Sequence, residues 1–204
     1  MQLKTCTSRE TLKKYLAGWI DLDESSQIEQ HIAECAACEQ TVVELERELV
    51  GFVTRHVPLP AGSAVRFLTG DARTVVEGFD PGERFDVIVL DIFSGEESPA
   101  HLATVDFYRI LRGHTRDGGL VVVNLGDDAG MRFARRQLRE MQEVFADVMA
   151  TGEARLFTGR YPGNVVAVGG TRPLGDAWVA AVAARGPHPA RALRGAELDG
   201  FGEP

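Results

Sequence analysis

Arg84-Phe85-Asp86-Val87-Ile88-Val89-Leu90-Asp91, running on into Ile92-Phe93-Ser94-Gly95, sets the architecture expected of this chain. Five of the six residues from Val87 to Ile92 are apolar, and most of those are β-branched. Such a run predicts a short strand buried on both faces, as in a parallel sheet covered by helices. Asp91 interrupts it where the strand should emerge, with the turn-former Gly95 close behind. A carboxylate is costly inside an apolar layer, so Asp91 is expected at the carboxyl edge of the sheet. In open α/β sheets that edge is where ligands bind.

Working outward, the remaining chain repeats this pattern. Pro58 and Pro60-Ala61-Gly62 mark a loop. A strand is expected over Ala64 to Leu68, then Thr69-Gly70-Asp71 and a helix from Arg73 to Phe79. Beyond the central strand, Pro99 to Arg112 reads as helix, with Leu102, Phe107, Ile110 and Leu111 on its apolar face. Gly118-Gly119 leads into a strand from Leu120 to Leu125, and Met131 to Phe145 is a charged amphipathic helix. Val148 to Ala150 and Asn164 to Val168 read as short strands, and Asp176 to Ala184 as a late helix. Strands alternating with helices at this spacing imply a doubly wound α/β sheet. Asp71, Asp91 and Asn124 then fall at or near strand carboxyl ends. Asp71 is equally suited to capping the helix that follows it.

The bulk properties narrow the functions open to the chain. It has 204 residues, 44% hydrophobic and 25% charged, as in ordinary globular proteins. A net charge of −8 argues against nucleic-acid binding, which needs clustered Lys and Arg. No apolar run approaches the ~18 residues of a membrane span, and Met1 to Glu10 lacks the apolar core of a signal peptide. A cytoplasmic location is the expectation.

All three cysteines, Cys6, Cys35 and Cys38, lie near the N-terminus. His31-Ile32-Ala33-Glu34-Cys35-Ala36-Ala37-Cys38 has the spacing His-x3-Cys-x2-Cys. On a helix beginning near Asp21, an N-cap with Glu24 three residues on, His31 and Cys35 share one face. A second helix is expected over Ser8 to Ile20, with Leu12, Tyr15, Leu16 and Trp19 at helical spacing. Three thiolates and one imidazole make a closed tetrahedral set for structural zinc. With Tyr15-Leu16-Ala17-Gly18 and Ile28-Glu29-Gln30-His31, this pattern resembles the zinc-binding anti-sigma-factor module. That resemblance covers the first 40 to 55 residues and implies a sigma factor or another regulatory protein as partner.

Residues 41 to 56 read two ways. Val42, Leu45, Leu49, Phe52 and Val53 fit a helical stripe closing the zinc module. Alternatively, Thr41 to Leu45 is a short strand bearing Glu44, followed by a helix from Glu46 to about His56. The head module is thus residues 1–40, or reaches 56 on the helical reading; residues 41–204 are an α/β domain.

Four stretches of that domain resemble spermidine synthases, in particular bacterial spermidine-synthase-like proteins of the S-adenosylmethionine methyltransferase fold. They are Val65 to Arg73, Phe85 to Gly95, Pro99-Ala100-His101-Leu102 through Tyr108, and Gly118 to Asn124; Val42-Val43-Glu44-Leu45 matches the family's second strand. The resemblance implies that Glu44 holds the nucleoside ribose and Asp71 the adenine amino group. It gives Asp91 the task of orienting or deprotonating the attacking amine, and Tyr161, in Tyr161-Pro162-Gly163, a contact with the amine substrate. The implied reaction moves an aminopropyl group from decarboxylated S-adenosylmethionine to putrescine, a small polyamine precursor. The chain also departs from the family. Its members place a first strand and a glycine-rich loop before the Glu44 strand, whereas here Gly18 alone precedes Gly51, and no G-x-G-x-x-G occurs. The expected fold is therefore an incomplete doubly wound, Rossmann-like methyltransferase sheet preceded by a small helical zinc module, with weak or absent catalysis by the isolated chain.

Overall fold

The structure is a computed structural model that describes residues 6–16, 20–38, 51, 60–91, 99–186 and 189–202. The chain divides into two compact units, Met1–Thr69 and Gly70–Pro204.

In the first unit, α1 (Arg9–Leu16) and α2 (Leu22–Glu34) bury Leu12 and Ile28 against Tyr15, Ile20 and Ile32. Asp21 caps α2 as its sequence position predicts, accepting the Glu24 N–H at 2.9 Å. Ser8 does the same for α1, accepting the Thr11 N–H at 3.0 Å. The Tyr15 hydroxyl donates to Glu29 Oε1 at 3.2 Å and ties the helices together. Burial of these two side chains contributes a few kcal/mol, at about 1.5–3 kcal/mol each. Ala64 to Leu68, expected to form a strand, has no regular structure, and Val65, Phe67 and Leu68 are exposed. A strand exists only with a ladder partner, and this stretch has none among the described residues. Glu44 and the strand-or-helix question of residues 41–56 lie outside the described residues, Gly51 excepted.

The second unit runs α3 (Ala72–Glu77), β1 (Phe85–Leu90), α4 (Val105–Gly113), β2 (Thr115–Asp127), α5 (Arg132–Gln142), β3 (Asp147–Glu153), β4 (Gly163–Gly170), α6 (Asp176–Arg185), β5 (Ala190–Arg194) and α7 (Ala196–Gly202). The strands form one sheet in the order β1-β2-β4-β3-β5. β1 lies parallel to β2, and the other pairs are antiparallel. Helices cover both faces. On one, Phe107, Tyr108 and Leu111 of α4 meet Ala134, Leu138 and Met141 of α5 and Leu198 and Phe201 of α7, over Val121, Val123 and Leu125 of β2. On the other, Val179 and Val182 of α6 cover Met149 and Val168. A buried polar link crosses the first layer: the Tyr108 hydroxyl donates to Gln137 Oε1 at 2.6 Å, and Gln137 Nε2 donates to Ala103 O at 3.3 Å. Burial pushes the Tyr108 phenol well above its ordinary pKa.

The expectation that the Val87–Leu90 run is central and buried on both faces is corrected. β1 is an edge strand of the described sheet. Ile88 and Leu90 pack on the α4–α5 core, but Val87 and Val89 on the opposite face are 51% and 64% exposed. A continuous apolar run shows that both sides of a strand suit burial; it does not supply the elements that cover them. Among the described residues, nothing covers this side.

Candidate functional site

Asp91 is the first residue beyond β1, at the carboxyl end of the parallel β1–β2 pair, as expected. Register places Leu90 beside Val123, so Asn124 is the next residue of β2 on the Asp91 side. Asn124 Nδ2 donates to Asp91 Oδ1 at 3.0 Å. The amide nitrogen must face the carboxylate, because an ionised carboxylate only accepts. This bond fixes one oxygen of an exposed carboxylate. Among the described residues, no hydrogen bond is made to the other oxygen.

Asp127, at the end of β2, is already committed. Its Oδ2 accepts the Ala134 N–H and its Oδ1 the Asp128 N–H, each at 2.8 Å, which anchors the start of α5.

Asp71 is the N-cap of α3. Its Oδ1 accepts the Thr74 N–H at 2.9 Å and the Thr74 hydroxyl at 3.0 Å, while His101 Nε2 sits 2.6 Å from Oδ2. The Thr74 backbone bond, then the His101 contact, hold its carboxyl down to about 2. Arg73 extends the cluster by ion pairs to Glu77 at 2.8 Å and Asp106 at 2.9 Å, and its Nη1 donates to His101 O at 3.3 Å. Sequence reasoning gave Asp71 either a cap or a ligand role, and the cap is observed. It missed His101 as the carboxylate's partner; the one available signal was the presence of Pro99-Ala100-His101-Leu102 in a motif stretch. No hydrogen bond among the described residues joins this pair to Asp91 and Asn124.

Tyr161 precedes β4, whose first residue pairs with Asp127, so it lies at the same sheet edge as Asp91 with β2 between them. Its ring is partly exposed and carries the Arg155 guanidinium 5.6 Å from its centre. Arg155 also pairs with Glu153 at 2.6 Å, and both line a cavity of about 430 Å³ bounded by Pro162, Asn164 and Val182.

In the first unit the ligand atoms of Cys6, His31, Cys35 and Cys38 lie within 4.8 Å of one another. Cys6 Sγ and Cys35 Sγ are 3.8 Å apart and all three cysteines are free. That separation is far beyond a disulfide. It matches two corners of a tetrahedron built on Zn–S bonds of about 2.3 Å. His31 Nε2 is buried and has no hydrogen-bond partner, an arrangement that a metal bond would satisfy. Hydrogen bonds from the Cys38 N–H and then Cys6 bring the Cys35 thiol down to about 7, while its bond to Cys35 raises Cys6. The donor set therefore fits zinc.

The second unit has a Rossmann-like methyltransferase fold: an open five-stranded mixed sheet with helices on both faces. Comparison with known proteins then narrows the class. The chain is 34% identical over 91 residues to a polyamine aminopropyltransferase of Korarchaeum cryptofilum, covering 42% of this chain and 28% of that protein. It is 32% identical over 89 residues to polyamine aminopropyltransferase 2 of Hyperthermus butylicus, covering 40% and 28%. A probable spermidine synthase from Corynebacterium glutamicum superposes with a TM-score of 0.66 at 28% identity, over 76% of this chain and 57% of that one. No family model matches. The chain is spermidine-synthase-like, and its matches span under a third of the curated relatives' length. No described helix is long and apolar enough to cross a membrane.

Proposed function

We propose that the α/β unit is an amine- and nucleoside-binding domain of the polyamine aminopropyltransferase type, with Asp91 as its amine-binding carboxylate. The observation that carries this reading is the Asp91–Asn124 pair at the sheet's carboxyl edge, with one carboxylate oxygen held and the other left to accept. An alkylammonium group bound there is attracted by the charge and donates to that oxygen. In the transfer reaction the amine, once its proton has passed to Asp91, attacks the aminopropyl carbon of a decarboxylated S-adenosylmethionine. The carbon–sulfur bond breaks, its electrons return to sulfur, and methylthioadenosine leaves. Tyr161 contributes a face for the methylene chain, and Asp71 contacts the adenine amino group. The chain carries no G-x-G-x-x-G loop to let backbone approach the donor. Turnover by this chain alone is therefore expected to stay at the level of a heat-killed control.

Calorimetric titration with putrescine and with methylthioadenosine tests the proposal. Wild type is expected to bind both, and Asp91→Asn to lose at least ~10-fold in putrescine affinity with methylthioadenosine binding retained. Absence of putrescine binding by the wild-type chain, or equal binding by Asp91→Asn, would reject Asp91 as the amine site.

A second reading concerns the other unit, supported by its cysteine–histidine cluster. There Cys6, His31, Cys35 and Cys38 hold a structural zinc in a head of the anti-sigma type that docks a regulatory protein such as a sigma factor. Metal analysis of purified protein is expected to give one zinc per chain, and Cys35→Ala to lose it. A Cys35→Ala protein that keeps both metal and fold would remove this reading.

A further inference from the structure

Asp71 is partly exposed, yet its capacity to accept hydrogen bonds is largely filled from within the chain. Both donors of Thr74, the backbone N–H and the hydroxyl, converge on Oδ1 at 2.9 and 3.0 Å and occupy the two lone pairs of that oxygen. Oδ2 is the oxygen left for an incoming donor, and His101 Nε2 stands 2.6 Å from it. With its pKa held down to about 2, the carboxylate is ionised and only accepts, so Nε2 carries the proton. The contact joins two side chains that are 51% and 43% exposed, and it is the imidazole's one bond among the described residues. The backbone beneath is held separately. Leu102 N–H donates to Pro99 O at 2.9 Å, and Arg73, anchored by Glu77 and Asp106, donates to His101 O. The ring is thus free to turn about its own side-chain bonds while the chain stays in place.

The imidazole here does what a nucleobase would do. It is a flat aromatic ring giving an N–H to Oδ2, the same kind of donor that a base amino group presents. We propose that His101 occupies the base-amino position on Asp71, so that a 6-aminopurine nucleoside binds by displacing it. The inference rests on the reading of Asp71 as the base contact, and it gives that site a built-in competitor. Placement in the fold supports it. Leu102, next to His101, shares a small void with Leu90 and Val123, the residues just before Asp91 and Asn124. The pair therefore stands by the sheet edge that holds the amine, and the half-exposed ring leaves into solvent instead of into packed core. Displacement exchanges one hydrogen bond on Oδ2 for another, so only a ligand with a donor at that position offsets the bond lost. A 6-oxo nucleoside carries an acceptor there and cannot take the place of the imidazole. Apparent affinity for the 6-amino nucleoside is lowered by the fraction of chains in which the ring is seated.

Calorimetric titration of the full chain with methylthioadenosine and with its 6-oxo counterpart, methylthioinosine, tests the proposal. His101→Ala is expected to bind methylthioadenosine ~5- to 10-fold tighter than wild type, and the 6-oxo compound no tighter, with circular dichroism unchanged. A second measurement needs no variant that could misfold. In nuclear magnetic resonance of the wild-type chain, the His101 ring signal should shift on saturation with methylthioadenosine and hold its position with methylthioinosine. The proposal is overturned if wild type binds methylthioadenosine while His101→Ala binds it equally or more weakly. A ring signal indifferent to the nucleoside overturns it too. Asp71→Asn separates this from the reading underneath. If Asp71→Asn binds methylthioadenosine as well as wild type does, or if neither wild type nor His101→Ala binds it, Asp71 is not the base contact and both ideas fall. If Asp71→Asn loses affinity and His101→Ala gains none, the base contact stands and the competitor alone is rejected.

Discussion

The two units hold together by different means, and the contrast shows what each contributes. Among its described residues, the head packs Leu12 and Ile28 together and gathers four groups that could ligate a metal. The α/β unit has a continuous core running from Leu102 to Phe201 across three helices and the sheet. A hydrophobic core spreads its stabilisation over many side chains, so no single loss is fatal. A metal cluster concentrates it in one object. The head should therefore fail all at once and the α/β unit by increments.

Metal removal should break the comparison most visibly. Structural zinc contributes an apparent ~10–16 kcal/mol in small finger peptides, far beyond what burial of Leu12 and Ile28 supplies. A strong chelator should abolish the head's α1 and α2 helical signal and leave the α/β unit's melting transition in place. Hydrogen exchange resolved by peptide would show both. Next in size is Phe107→Ala, in the α4 layer, expected to cost about 3–5 kcal/mol in denaturant unfolding of the α/β unit with the metal content unchanged. Tyr108→Phe removes the donor to Gln137 Oε1 and leaves a buried acceptor unpaired, for an expected loss of about 1–3 kcal/mol.

The smallest effect is the pH dependence of Asp71. Its folded-state carboxyl titrates near 2, below the ordinary value of 3.8. A depressed pKa stabilises the fold above the ordinary carboxylate range, and that contribution fades as pH falls from about 4 towards 2. The α/β unit's melting temperature should fall as pH drops through that window. Asp71→Asn should be lower at neutral pH and flatter below it. Equal slopes for the two proteins would mean that the Thr74 and His101 contacts add nothing in solution.

Legibility in the sequence followed the range of the interaction. The Asp21 cap is local and appears as read; the cysteine–histidine group gathers as expected, but α2 ends at Glu34 and Cys35 is its extended C-cap, so His31 and Cys35 do not share a helical face. Asp91 at the end of its strand was equally local. Its partner Asn124 was visible only as another polar residue near a strand end; register made them neighbours. β5, in Ala190–Arg194, has no β-branched residue and no strand signature, and forms because β3 offers an edge. The stretch from Val65 to Leu68 shows the reverse: good strand chemistry with no ladder partner among the described residues. Whether β1 was central or at an edge depended on its neighbours, which its own residues cannot report.

One irregularity decides more than its size suggests. Between Phe85 and Val87 the pairing jumps from Thr115 to Leu120, so β2 carries a small loop of extra backbone at its start. Gly119 lies so close beneath Asp86 O that a Cβ there would be 2.7 Å away, and Thr171 Oγ1 accepts from Gly118 N–H while donating to Arg116 O. That clasp sets the phase of everything downstream. Removing a single residue from it would rotate β2 by one place, turning Asn124 towards the α4–α5 packing and presenting an aliphatic side chain to Asp91. Deleting two residues would restore the alternation. The loop therefore works as a counter, and an odd error in it would cost Asp91 its Asn124 partner without touching the carboxylate.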